Sequence, residues 1–136
     1  MASKRPLKGL LDTSVFIAME SGRTLEQEAL PLESAISVVT NAELRAGIFA
    51  ADSIPERDRR IGTWETSLRF ATLPITGAVG SAWSQMRAYL AASGYRVRVN
   101  DLWIAATAAA YNMPIFTQDA DFDAVNGVAG LTVIPV

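Results

Sequence analysis

The chain has 136 residues, 50% of them hydrophobic, and a formal net charge of −2. That is enough for one domain (1–136) with a substantial core, and too little positive charge for broad, salt-driven nucleic-acid binding. Cysteine and histidine are both absent, which excludes disulfide frameworks, Cys- or His-based zinc sites and Ser-His-Asp or Cys-His catalysis.

The basic opening, Met-Ala-Ser-Lys-Arg-Pro-Leu-Lys-Gly, is followed by an apolar run that Asp12 interrupts. It does not read as a secretory signal. Gly9 to Leu11 predicts a short buried strand, and Val15 to Met19 a helix or single turn broken at Gly22. Leu25 to Leu30 reads as a short helix ending before Pro31. Ala35 to Thr40 is a β-branched strand, followed by good helix formers from Asn41 to Ala51. Pro55 suits the first turn of the next helix, with Ile61, Trp64 and Leu68 as its apolar stripe. Ala71 to Ile75 predicts an edge strand because of Pro74. A helix then starts at Thr76 or Gly77 and runs to about Ala92, with Gly94 as its cap. Asp101 to Asn112 reads as a buried helix, and Pro114 to Thr117 and Leu131 to Val136 as the last strands. The apolar region from Ile104 to Phe116 is interrupted by Thr107, Asn112 and Pro114, so no membrane span is expected and a cytoplasmic protein is. This alternation predicts an α/β fold, a three-layer α/β/α sandwich with a mostly parallel central sheet.

Acidic residues stand where these elements turn over: Asp12 after the first strand, Glu43 after the second, Asp101 at a helix start, and Asp119, Asp121 and Asp123 after Thr117. Each has a purely structural explanation. Asp12 can cap a helix. Thr40 and Glu43 have the spacing of a capping box. Asp101 can answer a helix dipole. The acidic run is no EF-hand, because Ala124 and Gly130 occupy the positions that require Gly and Glu. Asp123 is expected to point outward. A parallel sheet, however, gathers the carboxyl ends of its strands into one crevice. Carboxylates collected there repel one another unless a cation binds among them. The pattern points to a pocket for Mg²⁺, or Mn²⁺, with Asp12 and Asp101 as direct ligands. Glu43, Asp119 or Asp121 would bind a second ion or hold bound water. Trp64, Trp83 and Trp103 read as core or dimer interface.

The runs Leu-Leu-Asp-Thr-Ser-Val-Phe-Ile, Thr-Asn-Ala-Glu-Leu-Arg-Ala-Gly, Val-Asn-Asp-Leu-Trp-Ile-Ala-Ala-Thr-Ala and Thr-Gln-Asp-Ala-Asp-Phe, in that order across nearly the whole chain, resemble the PIN-domain nucleases. More narrowly they resemble the VapC toxins of bacterial toxin–antitoxin pairs. The resemblance implies a metal-dependent endoribonuclease that stops translation by cutting tRNA or rRNA to a 5′-phosphate and a 3′-hydroxyl. It implies Asp12, Glu43 and Asp101 as the first three catalytic acids, and Asp119 or Asp121 as the fourth. Thr13, Asn100 and Thr117 would orient ligands or substrate. Arg45, Arg96 and Arg98 would contact phosphate or RNA, with a solvated surface role as the competing reading; for Arg45, cover by an antitoxin is a further one. The implied partners are a VapB-type antitoxin and a second copy of the chain, in a heterotetramer or larger complex. Two alternatives of other classes stay open: a non-catalytic binding module whose acids only cap helices, and a metal-dependent DNA nuclease or phosphatase using the same pocket.

Overall fold

The structure, a computed structural model, describes residues 5–136. Within them, strands β1 (Lys8–Leu11), β2 (Glu33–Ser37), β3 (Ala71–Leu73), β4 (Ile115–Thr117) and β5 (Val133–Pro135) form one sheet in the order β3-β2-β1-β4-β5. Every pairing is parallel. The edge position of β3 agrees with Pro74 following it. The helices are α1 (Thr13–Ser21), α2 (Val38–Phe49), α3 (Ile54–Ser67), α4 (Gly77–Ser93) and α5 (Val99–Ala110).

Successive strand residues point to opposite faces, and the core divides accordingly. Leu10, Ala35 and Ile115 join Val79, Met86 and Leu90 of α4 and Leu102, Ile104 and Ala105 of α5. Leu11, Ile36 and Phe116 join Val15 and Phe16 of α1 and Leu44 of α2, with Trp64 of α3 packed against them. Three layers result. Helix α5 is buried nearly all round from Leu102 to Ala109, as expected of a helix without a polar stripe. Gly9 admits the Phe116 ring: a Cβ there would lie 2.1 Å from Phe116 Cε2. Gly94 ends α4 at φ 78°, a left-handed conformation that glycine adopts without steric cost.

Three expectations need correction. The helix over 25–30 shrinks to a 3₁₀ turn at Gln27–Ala29, because so short a segment cannot repay helix nucleation without a face to bury. The strand over 35–40 stops at Ser37, whose side chain accepts a hydrogen bond from the Val39 amide at 3.0 Å and caps α2. Capping there overrides the β-propensity of Val38 and Val39. Leu68 leaves the apolar stripe of α3: it follows the last turn and is 53% exposed.

Candidate active site

An open parallel sheet leaves a crevice at the carboxyl ends of its strands, where the strand order reverses. Here the reversal lies between β1 and β4. Asp12 immediately follows β1 and Thr117 ends β4. Their side chains meet, with Thr117 Oγ1 donating to Asp12 Oδ2 at 2.9 Å. The Ser14 amide donates to the same oxygen at 3.2 Å, making Asp12 the N-cap of α1. Asp12 is only 2% exposed. Burial pushes its carboxyl above the usual range, and hydrogen bonds from Ser14 and Thr117 draw it partly back.

Thr117 and Ser14 tie the two strand ends together. Thr117 Oγ1 lies 3.1 Å from Ser14 Oγ and accepts from the Asp119 amide at 2.9 Å. Ser14 Oγ accepts from the Gln118 amide at 2.9 Å. This orients the loop that carries Asp119, which caps the 3₁₀ segment Ala120–Val125 by accepting from the Asp121 amide at 2.9 Å.

Glu43 arrives from α2. The helix begins at Ser37, so Thr40 and Glu43 form no capping box. Thr40 is buried inside the helix, and Glu43 projects from its second turn. Thr13 Oγ1 donates to Glu43 Oε1 at 2.8 Å and lies 3.0 Å from Thr40 Oγ1. Asn100 Nδ2 makes a long contact of 3.5 Å to Glu43 Oε2.

Asp101 lies in the first turn of α5, half-buried. Its carboxyl is pushed up to about 6, first by burial and then by the charges of Asp12, Glu43 and Asp119, with Arg98 opposing them. Four carboxylates from four separate parts of the chain therefore share one field. Among the described residues, no three acidic side chains already stand close enough to cage an ion. An open ring of carboxylate oxygens suits a hard divalent cation that keeps several of its waters. The donor set contains no nitrogen or sulfur ligand that would favour zinc.

The chain matches the PIN domain family over residues 9–128. It is 48% identical to Ribonuclease VapC5 of Mycobacterium tuberculosis over 134 residues, covering 98% of this chain and 99% of that protein. It is 40% identical to Ribonuclease VapC4 of the same organism over 126 residues, covering 93% and 97%. A crystal structure of a VapBC toxin–antitoxin family member, VapBC-5 from Mycobacterium tuberculosis, superposes with a TM-score of 0.90 at 45% identity, covering 96% of this chain and all of that one. The chain belongs to the VapC group of the PIN-domain family.

In this VapC-type PIN domain the remaining expected site residues fall in different places. Arg98 precedes α5 and acts on Asp101. Arg96 and Asp121 line a neighbouring cavity with Tyr89 and Tyr95. Asp121 is not among the charges that raise Asp101. Arg45 lies over the Trp64 ring, 5.4 Å from its centroid. Trp83 and Trp103 stack at 4.9 Å within the α4–α5 layer, in keeping with a core role. Sequence reasoning missed Ser14 as the link between the strand ends. Its position two residues after Asp12, where Asp commonly accepts a backbone amide, was the available signal. Among the described residues no helix is long and apolar enough to cross a membrane.

Proposed function

We propose that this VapC-type PIN domain is a Mg²⁺-dependent endoribonuclease (Mn²⁺ substituting) and the toxin of a type II toxin–antitoxin pair. It cuts tRNA or rRNA to a 5′-phosphate and a 3′-hydroxyl. The observation that carries this reading is Asp101, whose carboxyl is pushed up to about 6 first by burial and then by the converging charges of Asp12, Glu43 and Asp119. Such an arrangement is costly unless positive charge enters it. Helix capping alone accounts for Asp12 and Asp119, and leaves Glu43 and Asp101 without a reason to face them.

Asp12 and Asp101 would hold the ion, and Glu43 with Asp119 or Asp121 would orient its waters or a second ion. Of the last pair we assign the larger part to Asp119, because its charge reaches Asp101. A bound divalent ion supplies an activated water and offsets charge on the scissile phosphate. Thr117 fixes the Asp12 carboxylate and Thr13 fixes Glu43. Arg98, whose charge acts on Asp101, would meet a phosphate. We further propose a VapB-type antitoxin partner, which the VapBC assembly of the structural relative supports, and a homodimer within a larger complex.

The test is RNA cleavage with Mg²⁺ or Mn²⁺, with and without chelator, by the parent, Asp12→Asn and Asp101→Asn. Metal-dependent cutting lost in both variants is expected. Intact RNA with antitoxin-free parent protein overturns the reading. Preference for DNA or a simple phosphate ester overturns the RNA assignment.

A further inference from the structure

Beside the acidic site, two aromatic rings stand exposed in one concavity. Tyr95, in the α4–α5 loop, is 62% exposed and Tyr89, on α4, is 44% exposed. With Arg96, Asp121, Asp123 and Asn126 they line a cavity of about 480 Å³. Tyr95 and Arg96 also line an adjoining cavity of about 500 Å³ with Val97 and Val99. Val99 begins the helix of Asp101, and Ala120 and Asp121 directly follow Asp119. The Tyr95–Arg96 pair thus runs between the elements that carry two of the four converging acids. Arg96 is in no salt bridge among the described residues. Asn126 Oδ1 is taken by the Val133 amide at 3.0 Å, which leaves its amide nitrogen free to donate.

We propose that this trough is a subsite for one unpaired nucleobase of the RNA substrate, next to the bond that is cut. The proposal rests on the endoribonuclease reading. Unpaired bases in RNA loops are bound by stacking on aromatic rings and guanidinium planes and by hydrogen bonds to their edges. Tyr95 and Arg96 supply the planes, and Tyr89 adds a second ring to the same lining. Asp123, acceptor-only when ionised, and the Asn126 amide supply an edge. The acidic rim decides between parts of a nucleotide: Asp121 and Asp123 repel a phosphate, so the base enters and the backbone stays nearer Arg98. An acceptor at the rim also favours a base with an exocyclic amino group, as carboxylates accept from the cytosine amine. Cytosine is preferred over uracil.

The experiment measures fluorescence anisotropy of short single-stranded oligo(C), oligo(U) and an abasic oligo(C) in chelator, then cleavage of the same oligomers with Mg²⁺. Oligo(C) binds more tightly than oligo(U) or the abasic strand. Tyr95→Ala weakens oligo(C) binding about tenfold and raises KM more than it lowers kcat. Tyr95→Phe, which keeps the ring, restores binding. Melting temperatures show that the exposed substitutions leave the fold intact. If the parent cleaves RNA and Tyr95→Ala leaves affinity and KM unchanged, the subsite is wrong and the nuclease reading stands. If the parent cleaves nothing yet binding depends on the Tyr95 ring, the nuclease reading falls and takes with it the place beside a cut bond, while base binding by the trough stands. A Tyr95→Ala protein that changes oligomeric state while binding RNA normally makes this face a protein contact and overturns the proposal.

Discussion

Replacing Asp101 by Asn should abolish cleavage and, in metal-free protein, raise stability. The Asp101 carboxyl rises from 3.8 to about 6 on folding. A carboxyl whose pKa is raised by folding stabilises the native state while protonated. That contribution is fully present below about pH 4 and is lost as pH climbs through about 6. At pH 7.5 the parent therefore carries an ionisation cost that Asn does not. A shift of this size has a ceiling of about 3 kcal/mol. Asp101 is only half-buried, and solvent screening reduces the expected gain to about 1 kcal/mol. In a domain of this length that is a rise of roughly 3–5 °C in Tm. The assay is thermal unfolding in chelator at pH 7.5 and pH 5, followed by circular dichroism. The gain should shrink at pH 5, where the native Asp101 is largely protonated. An unchanged or lower Tm at pH 7.5, or a gain independent of pH, would refute the reasoning.

Asp119→Asn should reduce cleavage by more than tenfold beyond Asp121→Asn, measured as kcat/KM on one RNA, because Asp119 is among the charges that raise Asp101. Thr117→Val removes the buried donor to Asp12; a stability loss of about 1–2 kcal/mol in urea unfolding and a 10–100-fold loss of cation affinity or activity are expected. Gly9→Ala drives a methyl into the Phe116 ring and should cost about 1–3 kcal/mol by the same denaturation assay.

Much of this architecture is legible in the chain itself. The α/β/α layering followed from apolar runs alternating with helical stripes, and α4 and its Gly94 cap came from Val79, Trp83, Met86 and Leu90 at helical spacing. Boundaries governed by a single hydrogen bond were less visible. Val38 and Val39 read as strand because their side chains favour one, while the Ser37 cap that makes them helical shows only in three dimensions. That one shift also changed the meaning of Glu43, from a capping partner of Thr40 to a side chain held by Thr13. The convergence of Asp12, Glu43, Asp101 and Asp119 is expected from the carboxyl ends of a parallel sheet, but the strand order that produces it is not encoded in local pattern. The same limit hid the trough of Tyr89 and Tyr95, since residues on α4 and after β4 meet only through tertiary packing.

Asp12, Glu43, Asp101 and Asp119 should together bind a divalent ion. The most direct measurement is Mn²⁺ binding by electron paramagnetic resonance of the free ion, with the parent, Asp12→Asn, Asp101→Asn and, as a control, Asp58→Asn at an exposed position of α3. Saturable binding in the parent and in Asp58→Asn, weakened at least tenfold by either site substitution, is the predicted result. Binding that ignores both Asp12 and Asp101, or no binding by the folded parent, would contradict it.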